Sequence, residues 1–115
     1  MGHLAREFFT LGEAALARGE KLKGAYYLRS AEFYMFGDDP RKQPARRKFI
    51  QLMREHFGFG DEAHFDVPYQ TAALSAYRLT PPTKPKGTIV IFGGFDSYIE
   101  EWFPCTATSR MPATT

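Results

Sequence analysis

Leu4, Phe8, Leu11 and Ala15, with Phe9 and Leu16 beside them, recur at three- and four-residue spacing and predict a helix over Leu4 to Arg18. Gly19 ends it. Leu22, Ala25, Tyr26, Leu28, Arg29, Phe33 and Phe36 repeat the habit over Glu20 to Phe36, with Gly37 as the stop. The short connection at Gly19 predicts two antiparallel helices. Asp39 before Pro40, or Pro44, opens a third helix carrying Phe49, Ile50, Leu52, Met53, His56 and Phe57, which Gly58 and Gly60 close. The first sixty residues are therefore expected to be all-helical.

Beyond Gly60 the period changes. Phe65, Val67 and Tyr69 alternate with polar neighbours, and Leu74 to Leu79 follow a turn at Gln70 to Ala72, which predicts a β-hairpin. Pro81, Pro82, Pro85 and Gly87, with Lys84 and Lys86, form a stiff exposed connection. Thr88 to Phe92 then runs without a polar break, the pattern of a central parallel strand covered on both faces. Gly93, Gly94, Phe95, Asp96 and Ser97 come next, and Asp96 or Ser97 suits the cap of a helix over Tyr98 to Phe103. In open α/β sheets, ligands bind at the carboxyl ends of strands, so this glycine turn is the place to expect chemistry. Residues 104–115 carry no apolar period and are expected to be irregular.

Composition and charge narrow the picture. The 115 residues hold eleven Phe and six Tyr, enough large apolar bodies for one ordinary core, and a single cysteine. Cys105 has no partner for a disulfide, which fits a reducing, cytoplasmic setting. No apolar stretch approaches the roughly 20 residues that span a bilayer, and no membrane partner is expected. Residues 1–58 carry eleven Lys/Arg against seven Asp/Glu, with Arg41, Lys42, Arg46, Arg47, Lys48 and Arg54 uninterrupted by an acid. A solvated helical face explains that run more simply than phosphate contacts, so no nucleic acid is expected. His3, His56 and His64 lack metal-ligand spacing with one another or with Cys105, so no metal or cofactor is expected. Asp61, Glu62 and Asp66 are read as turn and edge residues.

Val67-Pro68-Tyr69, the strand from Leu74, and Ile89-Val90-Ile91-Phe92-Gly93-Gly94-Phe95-Asp96-Ser97 followed by Glu100-Glu101 together carry a likeness. This stretch, with the helical opening before it, resembles the α/β-hydrolases of the dihydroxypseudooxynicotine hydrolase and FrsA-like type, relatives of the prolyl-oligopeptidase serine hydrolases. The resemblance runs from about residue 5 to Phe103. It implies a helical cap segment at 1–60, the first strands of an incomplete α/β-hydrolase sheet at 61–103, and a tail at 104–115 foreign to it. It implies hydrolysis of an ester, amide or carbon–carbon bond in a small-molecule or peptide substrate. The backbone N–H of Phe95 would be an oxyanion-hole donor, with Gly94 leaving room for the oxygen and Gly93, Asp96 and Ser97 supporting the turn. Tyr26, Tyr27, Phe33, Tyr34 and Phe36 would be the substrate-facing surface of the cap.

The chain departs from that pattern. It contains no Gly-x-Ser-x-Gly, and its three histidines precede the glycine turn, whereas the hydrolase order places nucleophile, acid and histidine after it. The expectation is an N-terminal, truncated or frame-shifted part of a hydrolase, inactive by itself and open to self-association through an exposed strand edge. Ser97 is read as a cap rather than a nucleophile. A competing expectation is a protein-interaction module, because Gly12, Ala15, Gly19, Gly24, Ala25, Tyr27 and Ala31 resemble a tetratricopeptide-like helical pair.

Overall fold

The computed structural model describes residues 2–109. Among them the chain is mixed α/β: four α-helices, two short 3-10 turns and one two-stranded antiparallel sheet. It divides into two compact units, Met1–His56 and Phe57–Thr115.

The first unit is helical. Helix α1 (His3–Ala17) ends where Gly19 takes φ +78, so that the Glu20 N–H reaches back to the Ala15 carbonyl at 3.0 Å and the Gly19 N–H to that of Leu16. This reversal sets α2 (Lys21–Phe33) against α1. The two helices approach through reciprocal small residues. A Cβ on Gly12 would stand 3.1 Å from Leu28 Cδ2, and one on Gly24 would stand 2.6 Å from Leu16 Cδ2. Ala5, Ala31, Met35 and Ala45 bury together, with Phe8 and Phe9 against them.

Helix α2 stops at Phe33, short of the expected Phe36. The cause lies in α3 (Lys42–Phe57), whose Lys42 Nζ donates to the carbonyls of Glu32 at 2.8 Å and Met35 at 3.2 Å. An ammonium on these carbonyls satisfies acceptors that another helical turn would have needed. The same Lys42 pairs with the Glu32 carboxylate at 3.1 Å, and Arg29 donates to that carboxylate at 2.8 Å. Glu32 is only 2% exposed, so its charge is held by two cations rather than by water. Asp39 accepts the Arg41 N–H at 2.9 Å just ahead of α3, with Pro44 in its first turn, and Gly58 at φ +71 ends the helix.

In the second unit β1 (His64–Tyr69) pairs with β2 (Ala72–Tyr77), Tyr69 facing Ala72 across the two-residue turn Gln70-Thr71. The strand expected over Leu74 to Leu79 thus begins and ends two residues earlier. Gln70 takes φ 54, the left-handed conformation at the first turn position that matches the twist of a tight hairpin. Phe65, Val67, Tyr69 and Leu74 lie on one exposed face of this sheet. The unit's core gathers instead around Phe103, whose ring lies 4.7 Å from that of Phe59, 5.0 Å from Tyr77 and 6.1 Å from Phe57.

Two expectations are corrected here. Thr88 to Phe92 is neither a strand nor buried: it has no ladder partner, and Ile89, Val90 and Phe92 are 79%, 78% and 82% exposed. The run has strand composition, but among the described residues no parallel neighbour exists to accept its hydrogen bonds. The tail expected to be irregular from residue 104 is helical through α4 (Phe103–Ser109), because buried Phe103 fixes its first turn and Thr106 Oγ1 donates to the Phe103 carbonyl at 3.0 Å. Residues 110–115 of that tail lie outside the described residues.

Candidate functional site

The glycine turn is built from its C-terminal side. Ser97 Oγ accepts the Gly94 N–H at 3.0 Å, closing a loop of four residues around Phe95 and Asp96. Gly93 is needed for closeness: a Cβ there would stand 2.6 Å from Ser97 Oγ, 3.2 Å from the Ser97 carbonyl oxygen and 3.4 Å from Trp102 Nε1. Gly94 faces open space, with nothing within 4 Å of where its Cβ would be. The Phe95 side chain is fully exposed, and no hydrogen bond of its N–H is present among the described residues. Asp96 is exposed on the same turn.

Ser97 therefore reaches back to Gly94. The 3-10 turn Ile99–Trp102 that follows is entered instead from Tyr98, whose N–H donates to Glu101 Oε2 at 2.7 Å while the Glu101 N–H donates to the Tyr98 carbonyl at 3.0 Å. Glu100 is buried and accepts from Tyr77 Oη at 3.1 Å, which ties the segment to β2. The turn keeps its shape through these contacts, although it follows an unpaired segment and not the end of a sheet strand. A backbone N–H fixed in this way, beside a glycine that leaves space, is suited to receiving an anionic oxygen.

The aromatic candidates of the cap belong to the first unit. Phe8 stacks on Tyr34 at 6.0 Å and lies 6.4 Å from Tyr27, Phe33 meets Tyr34 edge-on at 5.3 Å, and Arg29 sits 5.4 Å over the Phe33 ring. Tyr26, Phe33, Tyr34 and Phe36 are exposed and Tyr27 is half-buried. Tyr26 also lines an open depression with Gly19, Glu20, Lys21, Leu22, Lys23 and His56.

One cluster escaped the sequence reading. The hairpin register sets Asp66 opposite Ser75, and His64 Nε2 contacts Ser75 Oγ while standing 4.0 Å from Asp66 Oδ1. Serine, histidine and aspartate have come together, but both partners approach the same ring nitrogen. A catalytic relay needs the carboxylate on the other nitrogen, where it orients the imidazole and leaves Nε2 to take the serine proton. The group is a hydrogen-bonded cross-strand cluster on an exposed surface. Only the strand register shows it, since eleven residues separate His64 from Ser75.

Among the described residues no three His, Cys, Asp or Glu side chains group as a metal site, and no helix is long and apolar enough to cross a membrane. Cys105 is exposed. No family model matches the chain, and comparisons with curated proteins and with solved structures find no match.

Proposed function

We propose that Gly93 to Ser97 is the oxyanion-binding turn of a serine α/β-hydrolase, with the Phe95 N–H as donor. The observation that carries this reading is the pinned loop itself. Ser97 and the tight approach at Gly93 hold its backbone, while the Phe95 N–H, next along the chain from the open Gly94, has no hydrogen-bond partner among the described residues. Acyl transfer places negative charge on the former carbonyl oxygen, and a donor already fixed there stabilises it by about 3 kcal/mol without reorganising. These 115 residues hold no Gly-x-Ser-x-Gly and no histidine after the turn, so the reading gives them the charge-stabilising part of the chemistry and no turnover by themselves. The substrate is a small ester, amide or carbon–carbon compound, or a peptide. A reducing, cytoplasmic setting suits the single Cys105.

Titration of the full chain with methylphosphonate, a tetrahedral anion, tests the reading by amide NMR. The Phe95 resonance moves downfield and further than any other, and Ser97→Ala, which releases the loop, reduces the movement. An unmoved Phe95 amide overturns the proposal. Turnover of an activated ester that a serine-trapping reagent abolishes would overturn the reading that these residues supply charge stabilisation alone.

The interlocked Gly12 and Gly24 favour a second reading, in which the α1–α2 hairpin serves as a protein-interaction module. Close helix pairs of this kind present an outward face to partners when stacked in series.

A further inference from the structure

Resting on the hydrolase reading above, we infer that the indole N–H of Trp102 is a second donor for the substrate's oxygens at the glycine turn, acting from the Gly93 side. Trp102 Nε1 lies 3.4 Å from the point that a Cβ on Gly93 would occupy, and Ser97 Oγ, which accepts the Gly94 N–H, lies 2.6 Å from the same point. The indole thus stands against the bend that carries the Phe95 amide, and its N–H makes no hydrogen bond among the described residues. At 37% exposure Trp102 remains within reach of a ligand. A tryptophan N–H packed against protein ordinarily finds an acceptor there, so one left over beside a second unspent N–H is a donor available to a bound oxygen.

The indole is held before any ligand arrives. Trp102 closes the 3-10 turn Ile99–Trp102, which the reciprocal Tyr98 and Glu101 contacts fix at its start. Buried Glu100 on Tyr77 Oη at 3.1 Å fixes its middle, and buried Phe103 follows its end. Donors set in place beforehand stabilise developing charge without reorganising. The need for a second one follows from the local charge. Between Gly87 and Ser109 the chain carries Asp96, Glu100 and Glu101 and no Lys, Arg or His. An oxygen that gains charge at this turn therefore draws on neutral donors of its own segment, each of modest strength, and two serve it better than one.

Trp102 is the chain's only tryptophan, so one indole N–H resonance reports it directly. Titration of the full chain with methylphosphonate is expected to move that resonance downfield with the same midpoint as the Phe95 amide. Trp102→Phe keeps an aromatic body and removes the donor. It is expected to raise the dissociation constant about threefold to tenfold, while its Phe95 amide still moves downfield at saturation. A Phe95 amide that moves while the indole resonance stays would overturn this inference and leave the hydrolase reading standing; if neither moves, both fall. An indole that moves with a midpoint different from that of Phe95 marks a separate site and overturns the inference, as does unchanged affinity in Trp102→Phe.

Discussion

The two units of this chain solve the same problem in different ways. In the helical unit the helices make their backbone hydrogen bonds locally, with Lys42 reaching the Glu32 and Met35 carbonyls from the next segment, and side chains interlock, as Gly12 does with Leu28 and Gly24 with Leu16. In the second unit the hairpin keeps one apolar face exposed, Thr88 to Phe92 finds no ladder, and order comes from one aromatic side chain, Phe103, and one buried carboxylate, Glu100. The lesson is that helical structure needs only local chain, whereas strand composition becomes a strand only where a neighbour accepts its bonds.

Removing the side chain that organises the second unit sharpens this contrast most. Phe103→Ala is expected to cost about 4 kcal/mol, read by hydrogen exchange as lost protection in β1 and β2 with α1 and α2 amides still protected. The matching break in the helical unit is Glu32→Ala, which leaves Arg29 and Lys42 without their shared carboxylate and costs about 3 kcal/mol in urea unfolding. If α2 stayed as stable without Glu32, the ion cluster would have no part in ending that helix. Gln70→Gly has the opposite sign. It relieves a left-handed φ at a non-glycine residue and is expected to stabilise the hairpin by about 1 kcal/mol.

The smallest effect is electrostatic and confined to the helical unit. A hydrogen bond from Arg18 holds the Glu20 carboxyl below its ordinary value of 4.5, and hydrogen bonds from Gln51 and then Lys21 do the same for Glu55. A carboxyl whose folded value is depressed adds stability above its unfolded value and loses it as pH falls through the folded one. Unfolding curves are therefore expected to weaken below pH 4.5, by less in Lys21→Ala, which removes one support of Glu55. Both groups are solvent-exposed, so salt should shrink the difference.

How much was legible in the sequence follows the same division. The three-and-four spacing from Leu4 to Leu16 placed α1, and Gly19 placed its end, because both signals act within one helical turn. The hairpin was legible from its alternation, although the turn residues, Gln70 and Thr71, carry no glycine and left its register open. The end of α2 was not legible, since it depends on Lys42 reaching Glu32 and Met35 from the next helix. The run Thr88 to Phe92 misled because composition reports what a strand would bury, not whether a partner exists. Gly93 and Gly94 are legible as a place where the chain turns or is closely approached, but their different surroundings, one crowded by Ser97 and Trp102 and one open, appear only in three dimensions.

The claim that the Phe95 amide, and not its side chain, is the working group is tested most directly by comparing Phe95→Ala with Phe95→Pro in the methylphosphonate titration, with circular dichroism confirming equal folding. The first keeps the N–H and is expected to bind as the unaltered chain does. The second removes the donor and is expected to bind at least about tenfold more weakly. Equal binding by the proline variant would contradict the account.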